Sequence, residues 1–229
     1  MENKSLFPTE EVTLPSKGLI YPKDNPLAKG VLEMKYMTAK EEDILTNDSY
    51  IKNGTVIDKL LQSLIITPIN YNDLIIGDKN AVMIAARVLG YGKDYTFEYG
   101  GEEHTVDLTE VADKELKEEH LSEKGKNEFE FTLPTLKKSV TFKLLSHGDE
   151  KKIQKELEGI KKIQKEKPEL TTRLKHMILS IDGDYERKTI REFVDTHLLA
   201  IDARALRSYI KEIQPDVDLT FDLENEAGD

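Results

Sequence analysis

The stretch FTLPTLKKSVTFKLLSHGDEKKI (131–153) decides the fold class, because its hydrophobic period changes within it. On either side of Pro134 apolar and polar side chains alternate. With NEFEFTL (127–133) before the turn and SVTFKLL (139–145) after it, Phe129, Phe131 and Leu133 share one strand face, and Val140, Phe142 and Leu144 share another. Two such runs joined by a short proline turn predict an antiparallel hairpin. After Ser146 the alternation stops, and Ile153, Leu157 and Ile160 recur at spacings of four and three among lysines and glutamates. That is the narrow stripe of a helix that rests on the core or pairs with another helix, with a solvated surface helix the preferred reading. The SHGDE corner between them has two readings. In one, Ser146 or Asp149 accepts from the free amides of the helix, Asp149 and Glu150 favour its positive end, and Gly148 relaxes the backbone. In the other, His147, Asp149 and Glu150 are the centre of a hydrolase or metal enzyme, for which no local partner is in view.

Working backwards, YTFEY (95–99) and HTVDL (104–108) repeat the two-residue period, and LTEVADKELKEEHLSEKGK (108–126) reads as a short helix and a polar loop. Further upstream, Ala81, Val82, Ile84, Ala85, Ala86, Val88 and Leu89 form a helix that is apolar nearly all round, with Asp78 as its cap and Gly90 as its stop. The pairs Val56/Ile57, Leu60/Leu61 and Leu64/Ile65 give a one-sided helix ending at Pro68. VLEMKYM (31–37) predicts a short strand, and Thr38 with Glu41 a capping box. Residues 1–30 hold Pro8, Pro15, Pro22 and Pro26, so an extended arm is expected, its LPSKGLIYP (14–22) docking on its own domain in the plainer reading or on a partner in the other. Working forwards, helices are expected at 172–181 and at 187–213 with a break near Asp202. The tail DVDLTFDLENEAGD (216–229) has six acidic and no basic residues, yet Val217, Leu219, Phe221 and Leu223 alternate as in a short strand. The prediction is an α+β fold, a predominantly helical body interrupted by antiparallel hairpins. Its parts are an arm at 1–30, helical parts at 31–93 and 147–214, a β excursion at 94–146 and an acidic tail at 215–229.

The chain has 229 residues with 38% hydrophobic content, enough for a sizeable core. Its 33 basic and 44 acidic side chains leave a net charge of −11, which disfavours nucleic acid and anionic membrane as partners. It has no cysteine, which removes disulfides and thiolate zinc sites and suits a reducing cytoplasm. MENKSLFPTEE lacks a signal-peptide pattern, so export by that route is not expected. The five histidines (His104, His120, His147, His176 and His197) show no metal-binding spacing, and no phosphate-cradling glycine motif occurs. DGDYE (182–186) lacks the oxygen series of a calcium loop. Neither a cofactor nor a metal is expected.

Taken in order, LPSKGLIYP, MTAKEEDILT (37–46), IKNGTVIDKLLQS (51–63), LIIGDKNAVMIAARVLGYG (74–92), FTLPTLKKSVTFKLLSHGDE and FVDTHLLAIDARALRSYIKEIQPDVDLTFDL (193–223) resemble the baseplate hub assembly family of T-even-type contractile-tailed bacteriophages. The resemblance implies a non-enzymatic hub subunit or hub assembly chaperone. Its partners would be the hub and tape-measure proteins, and it would act in the host cytoplasm during assembly or stay in the virion as a permanent subunit. Where such relatives carry cysteine pairs, this chain has YGGEEHTVDL and FDLENEAGD, so zinc binding does not transfer. An adaptor in a complex unrelated to phage is the alternative. The interface candidates are the apolar residues of the two ends: Leu14, Leu19, Ile20, Tyr21, Leu219, Phe221 and Leu223.

Overall fold

A computed structural model describes residues 8–162 and 168–221. It is an α+β fold, with eight α-helices and nine short strands among the described residues, every paired strand antiparallel.

The first strand corrects the reading of an extended arm. β1 (Thr9–Thr13) pairs with β2 (Val31–Lys35), placing Val12 opposite Leu32. The prolines bound this hairpin rather than forbid it. Pro8 lacks a donor, but its carbonyl accepts from Tyr36 N at 3.2 Å, and Pro26 opens a 3-10 turn whose cap is Asn25. Between the strands, Leu14, Ile20, Tyr21 and Leu27 are buried in the core. The loop folds on itself at Gly18, whose φ of +74° is left-handed and where a Cβ would stand 2.4 Å from the Ala28 carbonyl oxygen.

α1 (Ala39–Leu45) opens with the expected capping box. Glu41 is fully buried and accepts from Thr38 N at 3.0 Å, Thr38 Oγ1 at 2.6 Å and Lys35 Nζ at 2.8 Å. Burial alone would raise its carboxyl, but the bonds from Lys35 and Thr38 outweigh it and hold the group at about 2. α2 (Asp48–Lys52) leads to α3 (Val56–Leu64), which ends before Pro68 because Ile65 turns extended and bridges Met34 of β2. α4 (Ile76–Tyr91) runs past Gly90, where the absent side chain leaves room for Met37, and ends at Gly92 with φ +84°. Asp78 lies in its first turn and is not its cap.

β3 (Asp94–Tyr99) and β4 (Glu102–Asp107) form a hairpin. The expected helix at 108–126 is instead β5 (Ala112–Lys114) followed by a 3-10 turn at Glu118–His120. β6 (Phe129–Thr132) and β7 (Ser139–Phe142) pair as the alternation predicts, Phe129 opposite Phe142 with ring centroids 5.5 Å apart. α5 (His147–Lys161) buries Ile153 and Leu157 in the core, so it is not a solvated surface helix. α6 (Glu169–Met177) stops four residues earlier than expected. Its continuation ILSI forms β8 (Ile178–Ile181), the third strand of the sheet, beside β7. α7 (Arg187–Thr196) and α8 (Ala200–Ile213) break at His197 to Leu199. Asp202, one turn later and fully buried, accepts from Thr135 N at 2.7 Å and Leu136 N at 3.1 Å, fixing the β6–β7 turn. β9 (Asp216–Asp218) pairs with β5 and packs on α4.

Strand pairing links the expected parts to one another. β8 carries the 147–214 part into the sheet of the β excursion, and β9 ties the start of the tail to residues 112–114. One buried cluster runs from Leu14 to Ile213.

The strand-to-helix corner is capped as the first reading expects. Ser146 Oγ accepts from Asp149 N at 3.2 Å, and Asp149 Oδ2 accepts from Ser146 N at 3.2 Å and from Lys143 Nζ at 2.7 Å. Ser146→Ala removes the cap and should lower the unfolding free energy by about 1 kcal/mol in urea titration. An unchanged midpoint would mean that the corner is held by Lys143 alone.

Candidate functional site

Three of the expected interface residues belong to the molecule's own interior. Leu14, Ile20 and Tyr21 are buried, and Leu19 is half-buried against the core. The arrangement that fixes them is a buried hydrogen-bond chain to α4. Asp78, 0% exposed, accepts from Ser16 N at 2.9 Å, Ser16 Oγ at 2.7 Å and Tyr21 Oη at 2.6 Å, and Tyr21 Oη accepts from Ile75 N at 3.1 Å. Burial raises the Asp78 carboxyl to about 6, against the lowering effect of the bonds from Tyr21 and Ser16. Residues 14–21 are thus not a free adhesive end. Leu219 and Phe221 are exposed. Leu223 lies outside the described residues.

The second sequence candidate, the SHGDE corner, does not gather its charged groups. Asp149 faces Lys143 and Ser146, while Glu150 pairs with Arg173 Nη2 at 2.8 Å. His147 turns the other way, towards residues far off in sequence. Its Nδ1 lies 3.3 Å from Lys79 Nζ, and its ring meets Tyr71 edge-on with centroids 4.7 Å apart. Asp58 joins these groups, with Oδ1 at 2.7 Å from Lys79 Nζ and 3.1 Å from Tyr71 Oη. His147 Nε2 is 3.2 Å from Asp58 Oδ2 but out of line, and has no hydrogen-bond partner among the described residues. Burial and the ammonium of Lys79 hold the imidazole below its ordinary value, with Asp58 pulling the other way. The imidazole, enclosed by the Asp58–Lys79 ion pair and the Tyr71 phenol, joins α3, α4 and α5. Among the described residues no group of three or more His, Asp or Glu side chains is placed to hold a metal.

The surface that sequence reasoning passed over is one face of the β3–β4 hairpin. Tyr95, Phe97 and Tyr99 have the same parity and stand on one side of β3. His104 lies opposite Phe97 at 5.7 Å between rings, and Tyr95 stacks on Phe97 at 6.0 Å. Arg87 of α4 extends the row, its guanidinium 5.3 Å from the Tyr91 ring centroid and 6.0 Å from that of Tyr95. Tyr91, Tyr95 and Tyr99 are 53%, 45% and 68% exposed, and no residue of either strand is fully buried. The hairpin is held at its base by Lys93 to Asp107 at 2.5 Å and by Leu108 N to the Lys93 carbonyl at 2.9 Å. The signal in the sequence was the aromatic alternation itself. Its exposure could not be read there, because the same pattern serves a buried face. Compared with known protein families, curated proteins and solved structures, the chain finds no match.

Proposed function

We propose that the protein is a non-enzymatic assembly component of a contractile phage tail, a baseplate hub subunit or hub assembly chaperone that meets its partners through the aromatic face of the β3–β4 hairpin. The observation that carries an assembly role is that row, in which Tyr91, Tyr95 and Tyr99 are exposed around a half-buried Phe97 beside Arg87 and are left uncovered by the other described residues. Tyrosine and arginine dominate the energetic centres of protein interfaces, since they bring large contact area with few rotors and a polar tip. A two-stranded hairpin with no core of its own is marginal in water and gains order when a partner covers it. The ordered motif series supports the baseplate as the setting. Partner capture by a free N-terminal arm is replaced, because Leu14, Ile20 and Tyr21 are core residues.

The test is affinity capture of the tagged full chain from infected cells, with mass spectrometry of the bound proteins and of finished particles. Hub and tape-measure proteins should be recovered. Presence of the chain in particles makes it a subunit, and its absence there makes it a chaperone. Tyr95→Ala with Tyr99→Ala should reduce that recovery at least tenfold while shifting unfolding by no more than about 0.5 kcal/mol, the ordinary effect of surface changes. Recovery of no tail protein removes the baseplate reading, and undiminished recovery by the double variant removes the hairpin from it.

A further inference from the structure

β1 has β2 as its sheet partner and no other among the described residues. Tyr36 N donates to the Pro8 carbonyl and Leu14 N donates to the Gly30 carbonyl, so the even-numbered residues of 8–14 bond towards β2. Alternation in an antiparallel ladder then turns the N–H and C=O groups of Thr9, Glu11 and Thr13 to the other edge. That edge borders a half-open cavity of about 450 Å³. Ala81, Ala85 and Val88 of α4 line it on one side, and the β5–β9 ribbon lines it through Asp113 and Val217. At one end the walls are joined, by Leu116 N to the Pro15 carbonyl at 3.1 Å and by Lys17 to Glu115 at 2.8 Å. Beyond that contact no ladder connects β1 to β5. Among the described residues the charge of the lining has one sign: Glu10, Glu11 and Asp113 are present, and neither lysine nor arginine is. Burial raises the Asp113 carboxyl above its ordinary value, with Lys17 acting against the rise and Glu115 adding to it.

We propose that this groove takes an extended segment of a partner protein, alternating apolar and basic side chains, which adds to β1 as a third strand. The inference rests on the assembly reading above and assigns it a second contact surface. The outward N–H and C=O groups of Thr9, Glu11 and Thr13 supply the main-chain bonds of strand addition. Apolar side chains of the segment lie on α4, on the face of β1 that carries Val12, and the basic ones alternate to the other face, beside Glu11. A second copy of this chain is the wrong partner by charge. The net charge is −11, and its exposed Leu219 and Phe221 are flanked by Asp218 and Asp222.

Fluorescence anisotropy with the full chain tests this, using a labelled nine-residue peptide of alternating valine and lysine and a control with glutamate for lysine. The lysine peptide should bind and the glutamate peptide should not. Glu11→Pro removes one outward N–H without touching the β2 ladder, and should weaken the lysine peptide at least tenfold while circular dichroism and melting temperature stay in place. Glu11→Lys should weaken it as well. Equal binding of both peptides, undiminished binding to Glu11→Pro, or no binding to the wild-type chain would overturn the proposal. So would a dimer in light scattering that Glu11→Pro converts to a monomer, since a second copy would then fill the groove. Peptide binding needs no phage protein, so its failure leaves the baseplate reading standing, and a capture that recovers no tail protein leaves the groove standing.

Discussion

Asp78→Ala lowers the unfolding free energy by about 4 kcal/mol, because it strands three donors at once in a place water does not reach. Ser16 N, Ser16 Oγ and Tyr21 Oη all point at the lost carboxylate, and a buried donor without an acceptor costs about 1 to 3 kcal/mol. Relief from burying a charge offsets part of the sum, which is why the expected loss lies below the simple total. Asp78→Asn keeps the shape and one acceptor oxygen and should cost about half as much. The two proteins also differ in pH dependence. The folded-state carboxyl lies at about 6, above the ordinary value of 3.8. Between those limits the native protein holds a proton that the unfolded chain has released, so stability falls as pH rises through the window. A shift of about two units corresponds to about 3 kcal/mol. Glu41 slopes the other way, because its folded value of about 2 lies below the ordinary value of 4.5. Its contribution is present above pH 4.5 and is lost as pH falls towards 2. Urea unfolding at pH 4, 5, 6 and 7 isolates the Asp78 contribution as the difference between wild type and Asp78→Asn. That difference should shrink as pH rises, and a flat difference would show that the buried carboxyl does not titrate there.

Gly77→Ala is expected to release the C-terminal strand. Gly77 is the second residue of α4, and a Cβ built there stands 1.8 Å from the Pro215 carbonyl oxygen and 2.7 Å from the Pro215 carbonyl carbon. Both obstacles are backbone, so no rotamer change relieves them. The segment before β9 must move away, weakening the bond from Asn80 Nδ2 to Asp216 Oδ1 at 2.8 Å and the β5–β9 ladder. Alanine gains about 1 kcal/mol over glycine as a helix former, and overpacking costs about 1 to 3 kcal/mol or more. The expected net loss is about 2 kcal/mol. Amide hydrogen exchange should accelerate at residues 112–114 and 216–218 while β6 to β8 keep their protection. Gly159→Ala is the control: this exposed position in α5 has nothing within 4 Å of an added Cβ, and the change should stabilise the protein by up to about 1 kcal/mol. Equal behaviour of the two variants would show that the close approach at Gly77 is not needed.

What could be read in the sequence was what neighbouring residues decide together. The β6–β7 hairpin, the Thr38 and Glu41 box, the stripe of α3 and the cap at Ser146 each lie within a short window whose periodicity or spacing states the answer. The losses came from contacts between distant segments. β8 is four residues long and continues the apolar pattern of α6, and an apolar run that short does not distinguish a buried strand from a helix. TEEVT and ADK are too polar and too short to announce β1 and β5, which exist because β2 and β9 pair with them. Asp78 has the residue type and place of a cap, and nothing local shows that Ser16 and Tyr21 will arrive to use it. His147 drew notice for its neighbours Asp149 and Glu150, yet its contacts are Asp58, Tyr71 and Lys79. The candidate interface was legible as alternation in Tyr95, Phe97 and Tyr99, while its exposure depends on the other described residues leaving it uncovered, which no local pattern records.

The pairing of β5 with β9 also sets an order of events during synthesis. Lys114 leaves the ribosome about a hundred residues before its partner Asp216. At about 5 to 20 residues per second the interval is on the order of 5 to 20 s. Through that time β5 waits unpaired, the seat at Gly77 and Asn80 stands empty, and the groove beside β1 lacks the wall that Val217 provides. A partner strand of the kind proposed, needing both walls, would therefore find its site only on chains translated through residue 218.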